Sequence, residues 1–291
     1  MGEWILCIVI TSYLTLAFKW VGMKNYSLLQ TIVVNYWSCV GTGLLLDAHD
    51  YPWQTLIHED WFSWSFVMGL GFILLFFLLG HTTQKLGVAV ATVSSKLSLV
   101  IPFLFSLLLY QEEAGFFKWV GICIAIIAVA LITGKKSTSI PNDPLGNVGI
   151  LLPILLFLGF GLWDTLVKYI EQAYLTSANP NTFLITAFGA AAIFGTVYLL
   201  FQFLNGKDLP HIPSLLMGIA IGVPNYFSIW LLIRVLQQYR ESSSTVIPVN
   251  NVGVVLFSTM MAALLFKEKL SPKNRWGILM SVIAILLMAF F

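Results

Sequence analysis

The sequence predicts an all-α integral membrane protein with ten transmembrane helices, arranged as two inverted five-helix repeats. Three observations carry this expectation. Hydrophobic residues make up 58% of the 291-residue chain and charged residues only 10%, whereas about a quarter of a soluble domain is charged. Ten apolar segments reach the length of a bilayer span, which takes about 20 residues. The stretch 88–112 also aligns without a gap on 244–268, 156 positions later, with Glu112 on Glu268 and Ser94-Ser95 on Asn250-Asn251, and the same shift carries Gly121 onto Gly277.

The spans are expected at 3–20, 28–46, 62–81, 87–110, 115–133, 147–169, 182–204, 212–235, 242–266 and 273–291. Each should be a helix, because lipid offers no partner for free backbone N–H and C=O groups. The start of the chain lacks the basic region of a signal peptide and reads as the first span. Gly134, Pro141, Pro144 and Gly146 mark 135–146 as a linker. It divides a first repeat, 1–134, from a second, 147–291. Ten of 48 positions are identical between 87–134 and 243–290. Fainter echoes join the earlier spans: Lys19 and Lys168 each come late in a span, and Met68-Gly69 and Met217-Gly218 stand 149 apart. With an odd number of spans per repeat, the second must insert upside down. Secondary transporters are commonly built this way, with the site at the midplane between the halves.

Lys96 lies in the middle of the fourth span. A charged side chain at the bilayer centre is costly, so it should face the bundle interior. It could bind a substrate carboxylate, or serve as a structural lysine held by Ser94, Ser95 and Ser98. Asn250 and Asn251 follow Pro248 in the ninth span. There a proline frees a backbone carbonyl, and the pair can bond that carbonyl, a ligand or a neighbouring helix. Asn35 and Tyr36 in the second span, and Asn225 and Tyr226 after Pro224 in the eighth, are further cavity-lining candidates.

Asp164 is the one acidic residue well inside a span, with Lys168 four residues on. That spacing suits an intrahelical pair. The rival reading is a coupling carboxylate beside the aromatic face of Trp163. Lys19 would snorkel to the interface or gate together with Lys168. Glu112 and Glu268 each follow one span and precede the next. They are read as structural staples joining the fourth to the fifth span and the ninth to the tenth. Ser271-Pro272 reads as the cap and first residue of the last helix.

These features together resemble the EamA-type branch of the drug/metabolite transporter superfamily. The resemblance rests on five plus five spans, a lysine late in the first and sixth, and a glutamate closing the fourth and ninth ahead of a glycine-containing span. It implies a central cavity lined by spans 1–4 and 6–9, and transport of small metabolites without ATP. The expected partners are therefore a small-molecule substrate, such as an amino acid or similar zwitterion or anion, and the lipid bilayer, with the protein a monomer or weak homodimer. The expected location is a bacterial inner membrane. The resemblance places both termini in the cytoplasm. The charge count favours the opposite: ten Lys/Arg lie on the side away from the termini and four on the termini side.

Other classes fit less well. The net charge of +2 and the lack of a basic run give no nucleic-acid footprint. No P-loop, zinc-protease or nucleotide motif occurs, and the three cysteines have no metal-ligand spacing. No cofactor, metal or catalytic residue is therefore expected. An integral-membrane enzyme, and a channel or scaffold, remain the alternatives.

Overall fold

A computed structural model of the chain describes residues 2–47, 56–110, 115–133, 148–175, 180–207, 209–238 and 243–290. Eleven α-helices follow one another: α1 (Gly2–Met23), α2 (Leu28–Asp47), α3 (Phe62–Leu86), α4 (Val88–Leu97), α5 (Val100–Tyr110), α6 (Phe116–Thr133), α7 (Val148–Tyr174), α8 (Pro180–Leu204), α9 (Ile212–Gln238), α10 (Ser243–Phe266) and α11 (Pro272–Phe290). Among the described residues, nine stretches are long and apolar enough to cross a membrane, and 116–132 is a shorter apolar helix. The chain is an all-α, multi-pass integral membrane protein.

The helix starts follow local chemistry. Ser271 Oγ accepts the Asn274 N–H at 3.2 Å, with Pro272 as the first helical residue of α11. Ser27 Oγ accepts the Gln30 N–H at 3.3 Å at the start of α2. Each hydroxyl satisfies a donor that the helix leaves unpaired. One expectation needs correction. The stretch 87–110, expected as one helix, is two, with Ser98 and Leu99 between α4 and α5.

The described chain forms two units. The first comprises 1–19, 78–165 and 228–291; the second comprises 20–77 and 166–227. In the first unit, α4, α6, α10 and α11 enclose a core that includes Val93, Leu97, Ala125, Val255 and Ile285. The seam between α6 and α11 is built on glycines. A Cβ on Gly121 would come within 2.9 Å of Met288 Cγ and 3.0 Å of the Ala284 carbonyl oxygen. A Cβ on Gly277 would come within 2.5 Å of Ile132 Cγ1 and 3.3 Å of the Ala128 carbonyl oxygen. Each residue of one pair stands 156 positions from its counterpart in the other. A contact in which i meets j′ while i′ meets j is the mark of a two-fold relation. Glycines early in each helix meet residues late in the other, so the repeat-related helices run antiparallel.

The second unit shows the same exchange. A Cβ on Gly69 in α3 would meet Ala190 Cβ at 2.5 Å and the Ala187 carbonyl oxygen at 2.9 Å. A Cβ on Gly218 in α9 would meet Val34 Cβ at 2.6 Å and the Thr31 carbonyl oxygen at 2.8 Å. Gly69 and Gly218 are 149 apart, while Thr31 and Ala187, and Val34 and Ala190, are 156 apart. The small residues let helix backbones approach closely where lipid gives no hydrophobic drive for association.

Candidate functional site

The site grows from the break between α4 and α5. Pro102 has no N–H to offer the Ser98 carbonyl four residues back. The Ile101 N–H takes that carbonyl instead, at 2.9 Å, in a tighter three-residue turn. Hydroxyls complete the turn: Ser95 Oγ donates to the Thr92 carbonyl at 3.0 Å, and Ser98 Oγ donates to the Ser95 carbonyl. Lys96 sits in the last turn of α4, directly before this interruption.

Helix α7 meets the break at Gly161. A Cβ there would lie 2.3 Å from Ile101 Cδ1 and 2.6 Å from Ile101 Cβ, so only glycine permits the approach. Asp164 is three residues further along α7, on the same face. Its carboxylate and the Lys96 ammonium act on each other electrostatically, and it lies within hydrogen-bonding reach of the Ser98 hydroxyl. That hydroxyl has one hydrogen and two acceptors, the Asp164 carboxylate and the Ser95 carbonyl. Lys96 and Asp164 make no ion pair within 4.0 Å among the described residues. Lys96 is half-buried and Asp164 is exposed. All of these groups belong to the first unit.

Cys7 in α1 also belongs to this neighbourhood. It is fully buried, donates to the Ser228 carbonyl at 3.6 Å and couples electrostatically to Lys96. Ser94 is fully buried, and its hydroxyl has no hydrogen-bond partner among the described residues. The same holds for the hydroxyl of buried Thr92 and for the side-chain oxygen of buried Asn250, and Asn251 is buried next to it. Val90, Val93 and Leu97 of α4 share one core with Val252 and Val255 of α10. Trp163 and Lys19 are half-buried in the first unit.

The remaining candidates lie in the second unit. Asn225 Nδ2 donates to Asn35 Oδ1 at 3.2 Å and to Cys39 Sγ at 3.5 Å. Tyr36 donates its hydroxyl to the Phe72 carbonyl at 2.7 Å, and its ring packs among Phe72, Phe76 and Phe188. Tyr226 is fully buried, and Lys168 is half-buried.

Glu268 reaches the start of α4. It accepts the Val88 N–H at 3.2 Å, at the first turn of α4. Gly87, with φ of 102°, makes room for this carboxylate. Glu112 lies outside the described residues. No group of three or more His, Cys, Asp or Glu able to hold a metal ion occurs among the described residues.

Sequence reasoning named Lys96 and Asp164 separately and missed that they act on each other. It gave Cys7 no role beyond lacking metal-ligand spacing and read Ser98 only as a possible brace for Lys96. Pro102, four residues after Ser98, was the available signal for the break.

Comparison with known proteins agrees with this architecture. Residues 3–134 match the EamA-like transporter family. An uncharacterized protein of Haemophilus influenzae is 28% identical over 287 residues, covering 97% of this chain and 94% of its own. A crystal structure with 14% identity covers 98% of this chain and 94% of its own, with a TM-score of 0.63, which shows a shared fold. Members of the family are generally small-molecule transporters of the membrane. Residues 3–134, a little under half of the chain, are thus similar to the EamA-like transporter family.

Proposed function

We propose that this protein is a secondary transporter of small metabolites, amino acids or similar zwitterions or anions, working by alternating access without ATP and without catalysing a chemical reaction. The single observation that carries the reading is Lys96, a half-buried cation at the end of a helix that breaks within the membrane. A lysine at such depth costs about 3 kcal/mol on insertion scales, so it persists where function or pairing repays it. A broken helix supplies what a carrier needs there, backbone and hydroxyl groups free to re-pair as substrate arrives. On this reading the Lys96 ammonium receives the substrate's carboxylate. Asn250 and Ser94, whose polar oxygens lack partners among the described residues, are second contacts.

The test is ligand binding to purified protein in lipid nanodiscs, screened with amino acids and other small carboxylates, for the wild type and Lys96→Ala. The reading expects saturable binding of at least one carboxylate ligand that Lys96→Ala weakens at least about tenfold, the loss of one charge-assisted hydrogen bond. Ligand binding unchanged in Lys96→Ala would overturn it.

A further inference from the structure

We infer that Lys96, Asp164 and Ser98 together form a dipolar clamp that selects a zwitterionic substrate, with the ligand's carboxylate on Lys96 and its ammonium on Asp164. This rests on the transporter reading above and narrows its substrate class. Four observations on α4, α5 and α7 support it. The contact of Gly161 with Ile101 brings α7 against the break, which sets Asp164 beside Ser98. Lys96 and Asp164 carry opposite charges that act on each other, yet they do not close into an ion pair within 4.0 Å. Asp164 is exposed and Lys96 half-buried. The Ser98 hydroxyl has a single hydrogen to offer, while a carboxylate has two oxygens with about four acceptor sites, so Asp164 keeps acceptor capacity to spare.

The chemistry then discriminates. A zwitterion with adjacent ammonium and carboxylate offers three donors to Asp164 and two acceptor oxygens to Lys96. It restores to each charge the partner that the open arrangement withholds. A plain anion satisfies Lys96 and leaves Asp164 facing like charge. A plain cation does the reverse. Leaving a charged group unpartnered costs more than making the favourable contact gains, so rejection comes mainly from the missing partner. In the empty protein the two residues attract each other across the gap, and the ligand replaces that attraction with two direct contacts. Asp164 is thus a specificity-determining residue.

The experiment measures binding to the full-length protein in nanodiscs, using matched sets of probes: each amino acid, its carboxamide, which is a cation, and its N-acetyl derivative, which is an anion. Folding of every variant is checked by its melting transition. For the wild type, the clamp predicts at least about tenfold preference for the amino acid over both derivatives, equivalent to about 1.4 kcal/mol. Asp164→Asn should erase the preference over the N-acetyl anion, and Asp164→Glu should keep it. Lys96→Gln should erase the preference over the carboxamide. If Asp164→Asn does not fold, the double variant K96Q/D164N, with no buried charge left uncompensated, should fold and bind all three forms without charge preference. Wild-type binding of the N-acetyl form as tight as that of the amino acid overturns the clamp. So does charge preference unmoved in Asp164→Asn or in the double variant. If ligand binding depends on Lys96 while Asp164→Asn leaves selectivity unchanged, the clamp fails and the transporter reading stands. If no carboxylate binds the wild type at all, both fail.

Discussion

Gly161→Ala is the smallest change that tests how the site is assembled. A methyl at this position would sit 2.3 Å from Ile101 Cδ1, 2.6 Å from Ile101 Cβ and 2.8 Å from Ile101 Cγ1, against ordinary contacts of 3.4 Å and beyond. Rotation of the isoleucine can move Cδ1 and Cγ1, but Cβ is fixed to the backbone. The helices must therefore separate by about 1 Å, taking Asp164 away from Ser98 and Lys96. Overpacking of this kind costs about 1–3 kcal/mol, and a displacement of about 1 Å in a binding group is felt in affinity. The double variant G161A/I101A removes two of the three clashing atoms. It should recover part of the stability, with a coupling of about 0.5–3 kcal/mol between the positions. Reversible unfolding in bicelles measures the cycle, and amino-acid binding to the same samples measures the site. A Gly161→Ala protein as stable as wild type and binding as tightly, or a double variant no more stable than the single, would refute the reasoning.

Further expectations follow from the packing. Gly87→Ala places a side chain at φ of 102°, a left-handed conformation, and drives it into the Glu268 carboxylate. It should destabilise by about 1–2 kcal/mol from the backbone alone, and more than Glu268→Ala, which loses a capping bond worth about 1 kcal/mol; chemical denaturation of both variants ranks them. Gly69→Val and Gly218→Val meet equivalent atoms across the pseudo-two-fold, so their unfolding free energies should fall by similar amounts; a large difference would contradict the equivalence. Asn225→Leu leaves the buried Asn35 carboxamide without its donor and should cost about 1–3 kcal/mol. Asn35→Leu with Asn225→Leu should cost less than the sum of the single changes, measured in the same unfolding assay.

Much of this fold was legible in the sequence because lipid imposes a simple rule. A long apolar run must be a helix, and a repeat with an odd number of spans must be inverted. The match of Gly121 to Gly277 and the fainter one of Gly69 to Gly218 turned out to mark close helix contacts in the two units. Close packing tolerates only the smallest residue there, which keeps the same residue type on both sides of the relation. The break at Ser98–Leu99 was less legible. Hydropathy continues across it, and Pro102 alone does not say whether a helix bends or stops. The hydroxyls of Ser95 and Ser98 take up local carbonyls there, as hydroxyls also do inside unbroken helices. Glu268 shows a different limit. Its place between two spans suggested a bond to its chain neighbour and gave no sign that its carboxylate accepts from the start of α4, about 180 residues away. Contacts of that range follow from how helices stack, which no local pattern encodes. For the same reason the juxtaposition of Lys96 with Asp164 and Cys7 could be read only once α1, α4 and α7 were placed in one unit.

Counterflow in proteoliposomes tests the central claim, that Lys96 receives a carboxylate-bearing substrate in a carrier that needs no ATP. Liposomes holding purified wild-type protein and loaded with a high concentration of one unlabelled amino acid are diluted into the same amino acid in labelled form, across the set of amino acids and without nucleotide. The account predicts transient, saturable accumulation of label for at least one of them. It also predicts loss of that accumulation in Lys96→Gln, with the folded variant still reconstituted. Accumulation in Lys96→Gln equal to that of the wild type, or none with any amino acid in the wild type, would contradict it.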